Sequence, residues 1–384
     1  MKPIYLDYNA TTPADPEVVQ AMLPFFTESF GNPANTLNSY GWAAENAVKQ
    51  ASRQVAELIG CEAQELTWNA GATEGNNTVV FGLIHHIKQQ DPTEKIHFVT
   101  SNAEHLSVIN SFHAAQKIEN IEIDFVPVNN QGQVELSTLK KYLKPHTKLV
   151  SCMWINNEIG SINPVEELAQ FCNENKIYFH TDATQAVGKI EINLKKNSVH
   201  FLTFSAHKLY GPKGVGCLFV RSSHPHVEIE PLIFGGGQQK NKRSGTLNVP
   251  AIVGAGKAAE ICQEKISSEF AKTKNLLKFI FDCLKTEFPD LKLNGPNLEL
   301  RSPINLSLTF HRPIDEVLGQ LATIAFSQGS ACSTTGFSSS HVLKSIGLSL
   351  PQAQQTIRLS IGRWTTQAEA ETACKTIIKA FKSI

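Results

Sequence analysis

Between residues 41 and 60 the apolar positions Ala44, Val48, Ala51, Val55 and Leu58 recur every three or four residues. That period predicts an amphipathic helix, and Gly60 is placed to stop it. Short β-prone runs recur further on, at residues 65–68, 96–100, 121–128, 149–155, 177–180, 201–204 and 215–220. Helical stretches such as 165–175 stand between several of them, and an apolar helix follows 65–68. Strands alternating with helices imply βαβ units and a largely parallel sheet. Such sheets bind ligands beyond the carboxyl ends of their strands, so the residues just after each run are where chemistry is expected.

The polar, glycine-rich block 235–248 (GGGQQKNKRSGTLN) reads as a loop, and a long helix is predicted from 249 to about 286. A strand at 304–309 and helices at 315–325 and 367–383 complete the pattern, which predicts a second, smaller α/β domain. Within it, residues 329–340 (GSACSTTGFSSS) read as a flexible loop by composition. There is no internal repeat.

The 384 residues suffice for two or three domains with a large core. Hydrophobic residues make up 41% and charged residues 18%, which excludes a disordered chain. The 35 basic and 35 acidic residues cancel, so binding of a polyanion by bulk charge is disfavoured and no direct nucleic-acid partner is expected. No apolar run is long enough to span a membrane, and the opening MKPIYLDYNATTP does not read as a signal peptide. Eight scattered cysteines without a C-x-x-C pair fit small buried apolar residues in a reducing cytoplasm, not a disulfide framework.

Five places after β-prone runs carry candidate chemistry. Lys208, in Ser205-Ala206-His207-Lys208, is either a surface lysine or a desolvated amine able to form a Schiff base. Asp182, in HTDATQ, is either a helix cap or a carboxylate facing a pyridinium nitrogen, with Gln185 near enough to reach a ring substituent. Residues 69–75 (NAGATEG) are either a glycine turn capped by Thr73 or a phosphate cup. His105 is either an ordinary core histidine or a ring that stacks on a flat cofactor and moves protons. Asn156-Asn157 can simply turn the chain. Away from these, Cys332 lies in the Gly/Ser/Thr loop. An incidental exposed cysteine is the ordinary reading there, but a solvent-reachable thiol on a flexible loop suits a nucleophile.

Taken together, FGNPA, AGATEGNN, AEH, NNEIG, TDATQAVGK, SAHKLYGPKG, GGGQQKNKRSGT and GSAC occur in one order along nearly the whole chain. In that order they resemble the cysteine desulfurases of the NifS/IscS type, within the class V aminotransferase family. The resemblance implies the α/β fold of the type I transferases dependent on pyridoxal 5'-phosphate. A large cofactor-binding domain would span residues 15–255. Residues 1–14 and 256–384 would form the small domain, with a mobile loop at 327–340 carrying Cys332. The implied reaction removes sulfur from L-cysteine, giving L-alanine and a persulfide on Cys332. That sulfur would pass to an acceptor protein in iron–sulfur cluster assembly or a thiolation pathway.

The resemblance also implies roles. Lys208 would join the cofactor and shuttle protons, Asp182 would hold the pyridinium nitrogen, Gln185 would face the phenolic oxygen, and His105 would stack on the ring. Ala72, Thr73, Ser205 and His207 would hold the phosphate. Thr246 would reach the phosphate of the partner subunit, which implies a homodimer. Arg358 would clamp the substrate carboxylate, and Asn157 would contact cofactor and substrate. The sequence departs from the family pattern at Asn35 and Asn38, where serine and histidine are usual, at Ala206, where glycine is usual, and in the run EGNN. Those departures keep two alternatives open: a related enzyme of the same fold, such as a selenocysteine lyase or an aminotransferase, and an inactive paralogue serving as a binding subunit. No metal site is expected, since His224 and His226 flank Pro225 without a suitably spaced carboxylate.

Overall fold

The computed structural model describes residues 3–223, 227–328 and 340–383. Its central sheet has seven strands among the described residues, in the spatial order Leu66–Asn69, Gly216–Val220, Phe201–Ser205, Tyr178–Asp182, Thr147–Ser151, Ile96–Ser101, Ile121–Val126. Gly216–Val220 runs against both neighbours, and every other pairing is parallel. The expected α/β class with a mainly parallel sheet is therefore what the chain forms. Six strands end at the same edge, which puts the turns after them in one neighbourhood.

Side chains alternate between two cores, as a pleated strand requires. Phe201 packs with Val79, Leu83, Phe98 and Phe112 under the helices Ala72–Gln90 and Leu106–Ala115. Leu202 and Phe204 face the opposite core with Val55, Leu168 and Ala258, under Ser39–Ile59, Val165–Glu174 and the first half of Val249–Glu287. Each such fully buried side chain contributes about 2 kcal/mol of apolar burial. Ser39–Ile59 begins at Asn38, whose side chain accepts from the Gly41 N–H, and ends at Gly60 in the left-handed conformation. It lies so close to the long helix that a Cβ on Gly256 would stand 2.5 Å from the Ala51 backbone.

Val249–Glu287 runs 39 residues, and its second half enters a separate core. There Leu276, Leu277, Ile280 and Leu284 pack with Leu306, Leu308, Ile357 and Leu359. The last four lie in an antiparallel sheet of Thr356–Ser360, Asn305–Thr309 and Lys292–Leu293, covered by Gln367–Lys382. The N-terminal strand Ile4–Tyr5 joins this part by pairing with Ile324–Ala325.

Two sequence expectations are corrected here. The helix expected at 315–325 is instead two short 3-10 turns, Ile314–Glu316 and Leu318–Leu321, and then the strand Ile324–Ala325. The β-branched pair Thr323-Ile324 goes into sheet pairing with the N-terminus, which overrides the helical spacing of Val317 and Leu321. The strand expected at 149–155 is Thr147–Ser151. Beyond it the Met153 N–H turns to the Glu104 carboxylate, at 2.9 Å and 3.0 Å to its two oxygens, instead of a neighbouring strand.

Among the described residues no helix is long and apolar enough to cross a membrane. The seven described cysteines are free, and all but the half-buried Cys283 are buried.

Candidate active site

A cavity of about 190 Å³ opens beyond the carboxyl ends of the parallel strands. Lys208 enters it from a tight turn, Ala206–Lys208, directly after Phe201–Ser205. The carbonyl of the fully buried Ala206 closes that turn by accepting the N–H groups of Leu209 and Gly211, both at 3.0 Å. Lys208 Nζ donates to the carbonyl oxygens of Asn9 and Ala10, each at 2.6 Å. These two bonds hold the amine against the backbone of the opening segment.

Asp182 closes the next strand, Tyr178–Asp182, and is 3% exposed. Its Oδ1 accepts from the Thr184 N–H and its Oδ2 from Asn76 Nδ2, both at 2.9 Å. Gln185 is held by reciprocal bonds with Asn9, at 2.8 and 2.9 Å, and its Oε1 also accepts from Lys189 Nζ at 2.6 Å. Burial, reinforced by the charge of Lys208, brings the Lys189 amine down to about 7.

His105 follows Ile96–Ser101 and caps the helix Leu106–Ala115. Its Nδ1 accepts the Ser107 N–H at 3.1 Å and lies 2.8 Å from Ser107 Oγ. Burial pulls the imidazole pKa down, against the raising effect of Asp182, so the ring is neutral at pH 7. His207 is likewise neutral, pushed down to about 4 by burial and then by the Lys208 charge. Its Nδ1 lies 2.9 Å from Thr11 Oγ1.

The helix Ala72–Gln90 starts at the same place without a side-chain cap. Ser205 Oγ accepts the Ala72 N–H at 2.8 Å, and Ala72 and Thr73 line the cavity. Gly71 has φ 143°, and a Cβ there would sit 3.1 Å from Ser205 Oγ. This is a compact, glycine-dependent helix N-terminus, suited to an anion.

The remaining wall comes from the second sheet. Arg358, on Thr356–Ser360, is 2% exposed, and its Nη2 meets Asp7 Oδ1 at 2.7 Å. Its Nη1 donates to the Asn157 carbonyl at 3.2 Å, while Nε has no partner among the described residues. Asn156 does turn the chain: its Oδ1 accepts the N–H groups of Glu158 (2.8 Å) and Ile159 (3.1 Å). Of Asn156 and Asn157, Asn157 lines the cavity, as Asn9 does from the opening segment. Thr184 lines it too, and its buried Oγ1 has no partner among the described residues.

The structure thus brings together Lys208, Asp182, Gln185, His105, Ala72, Thr73, Ser205, His207, Asn157 and Arg358. Thr246 is exposed and does not line this cavity. Cys332 lies outside the described residues, as do 329–339 of the expected loop and both His224 and His226. Among the described residues there is no group of three or more His, Cys, Asp or Glu placed to hold a metal ion.

Sequence reasoning missed Asp7, Asn9, Asn76 and Thr184. Asp7 and Asn9 offered one signal, two polar residues inside the otherwise apolar opening IYLDYNA. The departures Asn35 and Asn38 make local turn and cap bonds, to the N–H groups of Leu37 and Gly41 at 3.0 Å, and do not line the cavity.

Residues 4–372 match the aminotransferase class-V family, and the chain belongs to that family. It is 40% identical over 386 residues to the mitosomal cysteine desulfurase of Trachipleistophora hominis, an alignment covering 99% of this chain and 86% of that protein. Among solved structures, a NifS-like protein superposes with a TM-score of 0.90 at 32% identity, covering 100% of both chains. A structure of SspA in complex with cysteine superposes with a TM-score of 0.81 at 32% identity, covering 94% of this chain and 99% of that one.

Proposed function

We propose that this chain is a cysteine desulfurase that uses pyridoxal 5'-phosphate. The observation that carries the reading is the placement of Lys208, Asp182, His105 and Arg358 around one cavity at the strand ends. The donor set fits that cofactor. It offers an uncapped helix N-terminus with Ser205 and a neutral His207 for a phosphate, and a buried carboxylate at Asp182 for a ring nitrogen. It also offers an amine at Lys208 for a carbonyl carbon, and Thr184 Oγ1, without a partner among the described residues, is a buried polar atom suited to a ligand. Ala72, Thr73, Ser205 and His207 would hold the phosphate, Asp182 the ring nitrogen, Gln185 the phenolic oxygen and His105 the ring face. When bound, the cofactor supplies a carbonyl for an amine and an electron sink for charge at the substrate α-carbon.

The chain's own residues do the rest. Arg358, oriented by Asp7, grips the substrate carboxylate with the help of Asn157. Lys208 takes and returns the proton at the α-carbon, and the neutral His105 accepts or donates protons nearby. The Cys332 thiolate attacks the substrate sulfur. The carbon–sulfur bond of L-cysteine breaks and a sulfur–sulfur bond forms on Cys332. L-cysteine and the Cys332 thiol thus give L-alanine and a Cys332 persulfide, with no external oxidant or reductant. The persulfide then passes its outer sulfur to a thiol of an acceptor protein.

The working form in this reading is a homodimer, in which Thr246 reaches the partner's phosphate site. Its exposure here, and that of Phe26, Phe30, Leu37, Tyr40 and Trp42, supports a covering partner. The test is to add pyridoxal phosphate, record the visible spectrum, and reduce with borohydride. A yellow band and a covalent label on Lys208 are expected. No band and no label would defeat the reading.

A further inference from the structure

Asn76 lies on the helix Ala72–Gln90, is 1% exposed and does not line the cavity, yet its amide touches the groups that position both Asp182 and His105. Its Nδ2 has two N–H bonds to give. One goes to Asp182 Oδ2 and the other to Ser107 Oγ, each at 2.9 Å. An ionised carboxylate only accepts, so the nitrogen of this amide must face Asp182 and the oxygen must face away. That oxygen accepts the hydroxyl of Thr203.

The orientation propagates in both directions. Ser107 Oγ, accepting from Asn76, has its own proton left to give, and His105 Nδ1 stands 2.8 Å away. Nδ1 already accepts the Ser107 N–H, so two donors converge on it and the ring proton is kept on Nε2. On the other side, Thr203 has committed its proton to Asn76 and so accepts from His180 Nε2 at 3.3 Å. His180 Nδ1 is then the acceptor for the Ser151 hydroxyl at 2.8 Å.

We propose that Asn76 is a positioning residue which, through one amide, holds Asp182 as a hydrogen-bonded carboxylate and directs the Ser107 hydroxyl onto His105 Nδ1. That hydroxyl is a second donor beside the Ser107 N–H and reinforces the Nε2–H tautomer. The catalytic meaning rests on the function proposed above, because Asp182 and His105 are the groups that would meet the cofactor ring. The hydrogen-bond direction itself does not rest on it. Ser151, His180 and Thr203 form the buried tail that keeps the amide from flipping.

The test uses the full chain with histidine labelled by nitrogen-15, with and without pyridoxal phosphate, and the variants Asn76→Leu and Ser107→Ala. His105→Gln assigns the ring signals. In the native chain His105 and His180 are expected to show an unprotonated Nδ1 and a protonated Nε2. Ser107→Ala removes the hydroxyl and Asn76→Leu leaves it undirected, while the Ser107 N–H stays on Nδ1 in both. The His105 Nδ1 signal therefore shifts as that of an acceptor that has lost one hydrogen bond, with the ring proton still on Nε2. Asn76→Leu also strips a donor from Asp182 and weakens pyridoxal phosphate binding by about tenfold. Ser107→Ala leaves the Asp182 bond intact and changes that affinity by less than about threefold.

A His105 Nδ1 signal unchanged in the variants overturns the proposal, as does native affinity for pyridoxal phosphate in Asn76→Leu. Should Asn76→Leu not fold, Ser107→Ala decides alone, by whether its Nδ1 signal moves. A native chain with the expected signals that forms no alanine from cysteine would uphold the relay and defeat only the desulfurase reading.

Discussion

Asp7 and Arg358 meet in an ion pair of 2.7 Å, with the arginine fully enclosed and the aspartate nearly so. The second carboxylate oxygen of Asp7 accepts from Ser327 Oγ at 2.8 Å, so the aspartate is fixed from two sides. The pair joins the opening segment of the chain to a strand of the second sheet and aims the guanidinium at the cavity.

Replacing Asp7 with Asn keeps the shape and removes the charge. The arginine then sits buried without its counter-ion, an arrangement that costs about 3 kcal/mol in stability. The guanidinium also loses its fixed orientation. Steady-state kinetics should show KM for L-cysteine rising about tenfold with a smaller change in kcat, since ground-state binding is what weakens. An unchanged KM would mean that Arg358 does not bind the substrate.

Lys208→Ala removes the amine that donates to the Asn9 and Ala10 carbonyls. Turnover of cysteine should fall by about a thousandfold, the scale of a lost proton-transfer group. Mass spectrometry after borohydride reduction should find no cofactor attached to the chain. Persistent covalent labelling would place the attachment at another lysine.

Glu104 gives a pH dependence of stability. The carboxyl is fully buried, and burial raises its pKa from about 4.5 to about 8, against the lowering hydrogen bonds from Ser101 and the Met153 N–H. The folded state therefore holds a proton that the unfolded chain releases between those values. Stability from this group is complete below about pH 4.5 and is lost as pH rises through about 8. Melting curves of Glu104→Gln, compared with the native chain over that window, should show a flatter fall with pH. Parallel pH profiles would contradict the assignment.

Thr246 is exposed in the single chain and stands apart from the cavity. In a homodimer, Thr246→Ala should weaken pyridoxal phosphate binding by about fivefold while leaving the dimer intact, the effect of one lost hydrogen bond to a charged group. Light scattering gives the mass and absorbance titration the affinity. A monomer that binds the cofactor fully would contradict the shared site.

Much of the site was legible because the strand–helix alternation marks where the strands end. Lys208, Asp182 and His105 each stand at such an end or within four residues beyond it, and the structure gathers them around one cavity. What stayed hidden depends on contacts distant in sequence. Asn76 meets Asp182 across 106 positions, Asn9 meets Gln185 across 176, and Asp7 meets Arg358 across 351. Nothing local to an asparagine in EGNN distinguishes a hub from a helix-surface residue. Ile324 was misread for the same reason, because its partner strand is Ile4–Tyr5 at the other end of the chain. Asn38 offered the opposite case: its departure from the family pattern has a local cause, capping Ser39–Ile59.

The central claim is that sulfur leaves L-cysteine and reaches Cys332. The most direct measurement incubates the purified chain, loaded with pyridoxal phosphate, with L-cysteine, and quantifies alanine and protein-bound persulfide beside Cys332→Ala. The native chain should form alanine together with a persulfide mapped to Cys332, and the variant should form no persulfide while still binding the cofactor. Persulfide at the native rate in Cys332→Ala, or no alanine from the native chain, would contradict the account.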